Sequence, residues 1–143
     1  MAILEIQHLS HVFPNGTIAL DDVNLSVESG EFIVIAGANG SGKTVLLRHM
    51  NGLLSPTSGK VLLEGVPITK DLNHARRKIG LIFQNSDNQI VGQIVSEDVA
   101  FGPENLNLPR EQVDKLVQET LEAVGLSELA SEQTYTLSGG QKK

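Results

Sequence analysis

Cysteine is absent from these 143 residues. Neither a disulfide framework nor a thiolate metal site can be built from them. Positive charge is scarce: 11 Lys and Arg stand against 17 Asp and Glu, a net −6 at pH 7. With no basic face to neutralise a phosphate backbone, nucleic acid is not an expected partner. No apolar run approaches the roughly 20 residues of a membrane span. The opening, Met1-Ala-Ile-Leu-Glu-Ile6, lacks the basic start and apolar core of a secretion signal. Together these absences lead us to expect a soluble, cytoplasmic chain whose link to a membrane would run through a partner. What is present, 40% hydrophobic residues over a domain-sized length, suits one core.

The most informative segment is Gly37 to Thr44, Gly-Ala-Asn-Gly-Ser-Gly-Lys-Thr. It spells the phosphate-loop pattern G-x-x-x-x-G-K-[ST]. Glycines let successive backbone N–H groups converge on one anion. Lys43 supplies positive charge for β- and γ-phosphates, and Thr44 a hydroxyl for magnesium. A helix opening here adds unpaired N–H groups and the positive end of its dipole. The flanks fit. Glu31-Phe-Ile-Val-Ile-Ala36 is a continuous apolar run, as expected of a strand covered on both faces. Val45 to Met50 is helix-compatible and stops at Asn51-Gly52.

Elsewhere, Ile3 to His8 alternates like an edge strand, and Pro14-Asn15-Gly16 is a turn. Leu20 to Glu28 is a second strand candidate, broken by Ser29-Gly30. After the loop Ser55–Gly59, Lys60 to Leu63 is a short strand ending at Gly65. Arg76-Arg77-Lys78 precedes a further buried strand candidate, Ile79 to Phe83. From Gln84 the texture turns helical and more acidic. Ser96 is a candidate N-cap, with Glu97 and Asp98 in the first turn. Pro109 suits the first position of the clearest helix and Gly125 its end. Between them Val113, Leu116, Val117, Leu121 and Val124 share one face. The expected organisation is an α/β part over 1–85, a helical part over 86–137, and the start of a further helix over 138–143.

Leu137-Ser-Gly-Gly-Gln141 is weak alone, but its place in the order matters. A phosphate loop, a Gln ending a buried strand (Gln84), a helical insert and then L-S-G-G-Q resembles the ATP-binding subunits of ABC transporters. The resemblance runs from Ile3 to Lys143. The stretches Phe83–Gln89 and Glu97–Asn105 are similar to the energy-coupling-factor and cobalt/nickel importer ATPases, which power uptake of vitamins or transition-metal ions. The fold this implies is an α/β P-loop NTPase core, incomplete at its C-terminal end, with an antiparallel β subdomain within 1–85 and an α-helical subdomain.

The resemblance also implies roles. Asn39, Gly40, Ser41, Gly42, Lys43 and Thr44 would wrap the phosphates of ATP. Thr44 and Gln84 would approach Mg2+. Phe13 matches the aromatic that stacks on adenine. Ser138, Gly139, Gly140 and Gln141 form the signature, which would meet the γ-phosphate of ATP held by a second ATP-binding subunit, identical or related. A transmembrane importer subunit would place the chain at the inner face of the cell membrane. Val45 departs from the pattern, standing where these ATPases usually carry a second hydroxyl residue. Its N–H can still meet the α-phosphate, but its side chain cannot hydrogen-bond.

In the family a magnesium-linked Asp, a water-activating Glu and a switch His follow the signature. Only Lys142 and Lys143 follow it here, and His8, His11, His49 and His74 all precede it. The expectation is therefore that these 143 residues alone bind nucleotide without turnover. Two accounts stand open. An N-terminal piece of a longer protein is favoured, because a central strand without neighbours would expose its edges. A short protein that binds without hydrolysing is the alternative.

Overall fold

An antiparallel sheet organises the N-terminal part of the chain, in strand order β2-β1-β3-β4. Its strands are β1 (Ala2–Val12), β2 (Ile18–Glu28), β3 (Ser58–Leu63) and β4 (Val66–Pro67). The computed structural model describes residues 2–85 and 88–143. Met1, and Ser86 and Asp87 within the Phe83–Gln89 stretch, lie outside the described residues. The chain divides into two compact units, Met1–Leu81 and Ile82–Lys143.

In the first unit, β1 pairs with β2 on one side (Ile6 opposite Leu25) and β3 on the other (Ile6 opposite Val61). It is an interior strand and not the edge strand its alternation suggested. Alternation reports which faces of a sheet are covered, and says nothing about whether a ladder continues on both sides. The apolar face of β1 buries Ile6 and Leu9, and Leu20, Val61, Leu63 and Ile68 join them. Gly59 crosses β1 so closely that a Cβ would lie 2.1 Å from the His8 carbonyl oxygen. The β3–β4 hairpin turns on Glu64 and Gly65, with φ of +51° and +79°, as a tight right-twisted hairpin requires.

Helix α1 (Lys43–Met50) lays Leu46, His49 and Met50 into the same core. It ends as Asn51-Gly52 foretells. Gly52 takes φ +72°, its N–H donates to the His49 carbonyl, and the Leu53 N–H donates to that of Arg48. This pair of hydrogen bonds satisfies the last carbonyls of the helix. Helix α2 (Leu72–Lys78) starts on Asp71, whose carboxylate accepts the His74 N–H at 2.9 Å. The Arg76-Arg77-Lys78 cluster falls in its last turn, where positive charge suits the helix dipole.

Two expected strands do not form. Glu31–Ala36 and Ile79–Phe83 are irregular. Phe32 is 90% exposed, and Val34 and Ile82 are 74% and 67% exposed. Apolar content cannot replace a hydrogen-bonding neighbour, and among the described residues neither segment joins a ladder. Ile35 and Ile79 keep the expected inward packing against the core of the first unit.

The second unit centres on α3 (Val95–Asn105) and α4 (Arg110–Ala123), which bury Val95, Ala100, Val113, Val117 and Leu121 together. The start of α3 corrects the Ser96 expectation. The flanking residue is Ile94. The Val95 and Ser96 N–H groups donate to the carbonyls of Glu132 and Ala130. Neighbouring backbone thus satisfies the donors a capping side chain would have taken. Glu97 and Asp98 do occupy the first turn. Pro109 sits one place earlier than expected, at the N-cap of α4. Gly125, φ +70°, ends that helix with the same pair of hydrogen bonds as Gly52, from its own N–H to Glu122 and from Leu126 to Leu121. Leu116 and Val124 do not share the buried face, being 39% and 61% exposed. Leu116 lies at the rim of the stripe, and Val124 is the C-cap, where helical periodicity has stopped.

Candidate nucleotide site

The phosphate-loop residues lie together at the opening of α1. Gly40 and Gly42 take φ of +83° and +89°, a region that L side chains enter only at a cost. Gly42 has a second reason to be glycine, since a Cβ there would lie 2.4 Å from the Ala19 carbonyl oxygen. The first helical bond runs from Leu46 N–H to Gly42. The amides of Lys43, Thr44 and Val45 come before it, at a helix end whose N-cap is a glycine with no side chain to offer. Such amides favour an anion.

Lys43 curls back over the loop. Its Nζ donates to the carbonyls of Gly37 at 2.8 Å and Ala38 at 2.7 Å, with the Ser41 hydroxyl at 3.4 Å. The ammonium is thus held at the mouth of the cradle by neutral acceptors only. Thr44 is exposed, leaving its hydroxyl accessible. Val45 is half-buried and packs against the core of the first unit. Its carbonyl accepts the Nδ1–H of His49 at 2.8 Å.

Phe13 is half-buried beside the Phe13–Thr17 turn, which is closed by Phe13 N–H to Thr17 and Gly16 N–H to Phe13. Its ring stands edge-on to His11 at 4.9 Å between centroids, and His11 stands at 4.7 Å from His49. All four histidines precede the signature, so none was expected as the switch residue. His49 is buried, with none of its surface exposed, and it forms a column with His11 and Phe13. Nothing in the sequence marked His49.

The other expected site residues belong to the second unit. Gln84 is exposed in an irregular segment, because the strand it was to end does not form. At the signature, the Ser138 N–H donates to Gln141 Oε1 at 2.8 Å, and the Gln141 N–H to Ser138 Oγ at 3.3 Å. This reciprocal pair is a capping box. Behind it the expected helix start amounts to one turn, with Lys142 N–H on the Ser138 carbonyl. Gly139 and Gly140 are exposed, and a Cβ on either would meet nothing within 4 Å among the described residues.

Among the described residues no group of three or more His, Asp or Glu could hold a metal ion. A cation here would rely on hydroxyl, amide and phosphate oxygens, a donor set suited to magnesium. Among the same residues no helix is long and apolar enough to cross a membrane.

A family model described as ABC transporter matches residues 20–143. The energy-coupling factor transporter ATP-binding protein EcfA of Methanocaldococcus jannaschii is 47% identical over 146 residues, covering 100% of this chain and 52% of that protein. EcfA1 of Symbiobacterium thermophilum is 51% identical over 128 residues, covering 88% of this chain and 45% of its own length. The solved structure of cbiO1 from Clostridium perfringens, part of the ABC transporter complex cbiONQ, superposes with a TM-score of 0.89 at 38% identity. It covers 99% of this chain and 57% of its own. The chain thus spans about half the length of the curated relatives it matches. Its phosphate loop, its signature and these matches place it in the ABC transporter family, with the P-loop ATPase fold of that family's ATP-binding proteins.

Proposed function

We propose that this chain is the ATP-binding part of the energy-coupling subunit of an ABC-type importer for a transition-metal ion such as cobalt or nickel, or for a vitamin. One observation carries the reading: a loop shaped by Gly40 and Gly42 opens helix α1 and holds the Lys43 ammonium at its mouth. The relatives named EcfA and cbiO1 support the importer class.

In this reading Asn39 to Val45 receive the phosphates of ATP. Lys43 exchanges the Gly37 and Ala38 carbonyls for the β- and γ-phosphate oxygens, trading neutral acceptors for charged ones. Charge-assisted hydrogen bonds are about twice as strong as neutral ones, so the exchange favours the bound state. The exposed Thr44 hydroxyl would be a ligand for Mg2+, which when bound would offset phosphate charge; Gln84 is a further ligand only as the family resemblance implies. Phe13 offers its ring to adenine. Ser138, Gly139, Gly140 and Gln141 serve the nucleotide of a second ATP-binding subunit, with the Ser138–Gln141 box presenting the amides of a nascent helix. A transmembrane subunit at the inner face of the membrane is the other partner.

Light scattering on the intact protein tests this. A non-hydrolysable ATP analogue with Mg2+ should convert single copies into pairs. Ser138→Arg should block pairing while leaving nucleotide bound. Pairing unaffected by Ser138→Arg would overturn the role of the signature.

A further inference from the structure

We infer that His11 is a positioning residue for the base of the nucleotide, braced by His49, so that the adenine platform is fixed to the same helix that binds phosphate. The inference rests on the reading of Phe13 as that platform.

His49 is the fixed end of the column. None of its surface is exposed, and its Nδ1 lies 2.8 Å from the Val45 carbonyl oxygen. A carbonyl can only accept, so Nδ1 carries the proton. Nε2 is buried without a hydrogen-bond partner among the described residues. An unpaired buried polar atom is costly, and an apolar side chain would fill the same space without that cost. What the imidazole provides is a flat ring, locked in orientation by Val45, for His11 to stand against at 4.7 Å.

His11 is the middle member. Its Nδ1 donates to the Ser55 carbonyl at 3.2 Å, which fixes its plane from the loop before β3. Its ring meets Phe13 nearly at right angles, 86° between planes and 4.9 Å between centroids. Edge-to-face pairs hold a definite geometry. Phe13 is only half-buried, so one part of its ring is braced and another remains open to a base. The Val45 carbonyl that orients His49 belongs to the residue whose amide faces the phosphates. Base platform and phosphate cradle are therefore tied through three rings and one hydrogen bond.

Paired titrations of the intact protein with MgATP and with magnesium tripolyphosphate, which has no base, test this. Phe13→Ala should weaken ATP about tenfold, in line with the loss of one base stack, and leave tripolyphosphate unchanged. His11→Ala should weaken ATP by about three- to tenfold, again sparing tripolyphosphate. His11→Phe, which keeps a ring, should restore ATP affinity. His11→Asn, which keeps a donor for Ser55 but no ring, should not. Unchanged tripolyphosphate binding also shows that each variant is folded. An unaltered ATP affinity in Phe13→Ala would remove the platform reading and the inference with it. A normal Phe13 effect would overturn the inference alone in either of two cases: His11→Ala binds ATP normally, or it weakens both ligands equally.

Discussion

Two glycine-and-serine loops in this chain are built on different principles. In the phosphate loop the fold itself demands glycine. Gly42 has φ +89° and its absent Cβ would strike the Ala19 carbonyl. Lys43 completes the loop by binding its own carbonyls. In the signature no such demand exists among the described residues. Gly139 and Gly140 have open space around them and no left-handed backbone, and a capping box shapes the turn. The first loop is formed and liganded from inside. In the proposed reading, what calls for glycine in the second is a nucleotide held by another subunit.

Replacing glycine in each loop separates the two. Gly42→Ala should produce the largest effect, destabilising the chain by about 2–3 kcal/mol through backbone strain and the contact with Ala19, and abolishing ATP binding. Urea unfolding and an ATP titration read both. Gly140→Ala should leave the urea midpoint unchanged, ATP bound, and analogue-driven pairing lost. A shifted midpoint would mean that the signature glycines are structural after all, and the contrast would collapse.

The smallest effect is expected at Val45→Thr. An added hydroxyl should tighten ATP by on the order of 1 kcal/mol. Val45 also packs against the core, and Val to Thr is not a neutral exchange there. The gain in affinity should therefore come with a loss of stability of similar size, visible as a lower urea midpoint. Tighter binding without that loss would show that Val45 packing contributes nothing.

Much of the site was legible because its chemistry is local. Glycine spacing, the lysine and the helix stop at Asn51-Gly52 lie within sixteen residues of sequence, counted from Gly37, and each needs only its own backbone. Glu31–Ala36 and Ile79–Phe83 were misread because apolar content states a willingness to be buried and not the presence of a neighbour. The Val61-Leu62-Leu63 run in β3 is no more apolar, yet it is buried because β1 lies beside it. Ser96 was misread for a similar reason: the segment that satisfies the start of α3 arrives from residues 130–132. The His49–His11–Phe13 column joins positions 38 residues apart, from His11 to His49, and no local rule could assemble it.

The central claim is that the Gly37–Thr44 loop holds ATP through Lys43. Equilibrium titration of the intact protein with MgATP, native against Lys43→Ala, tests it most directly. Loss of a charge-assisted contact predicts at least about tenfold weaker binding in the variant, with an unchanged urea midpoint, since Lys43 makes only exposed contacts with its own loop. Equal affinity in the two proteins would contradict the account.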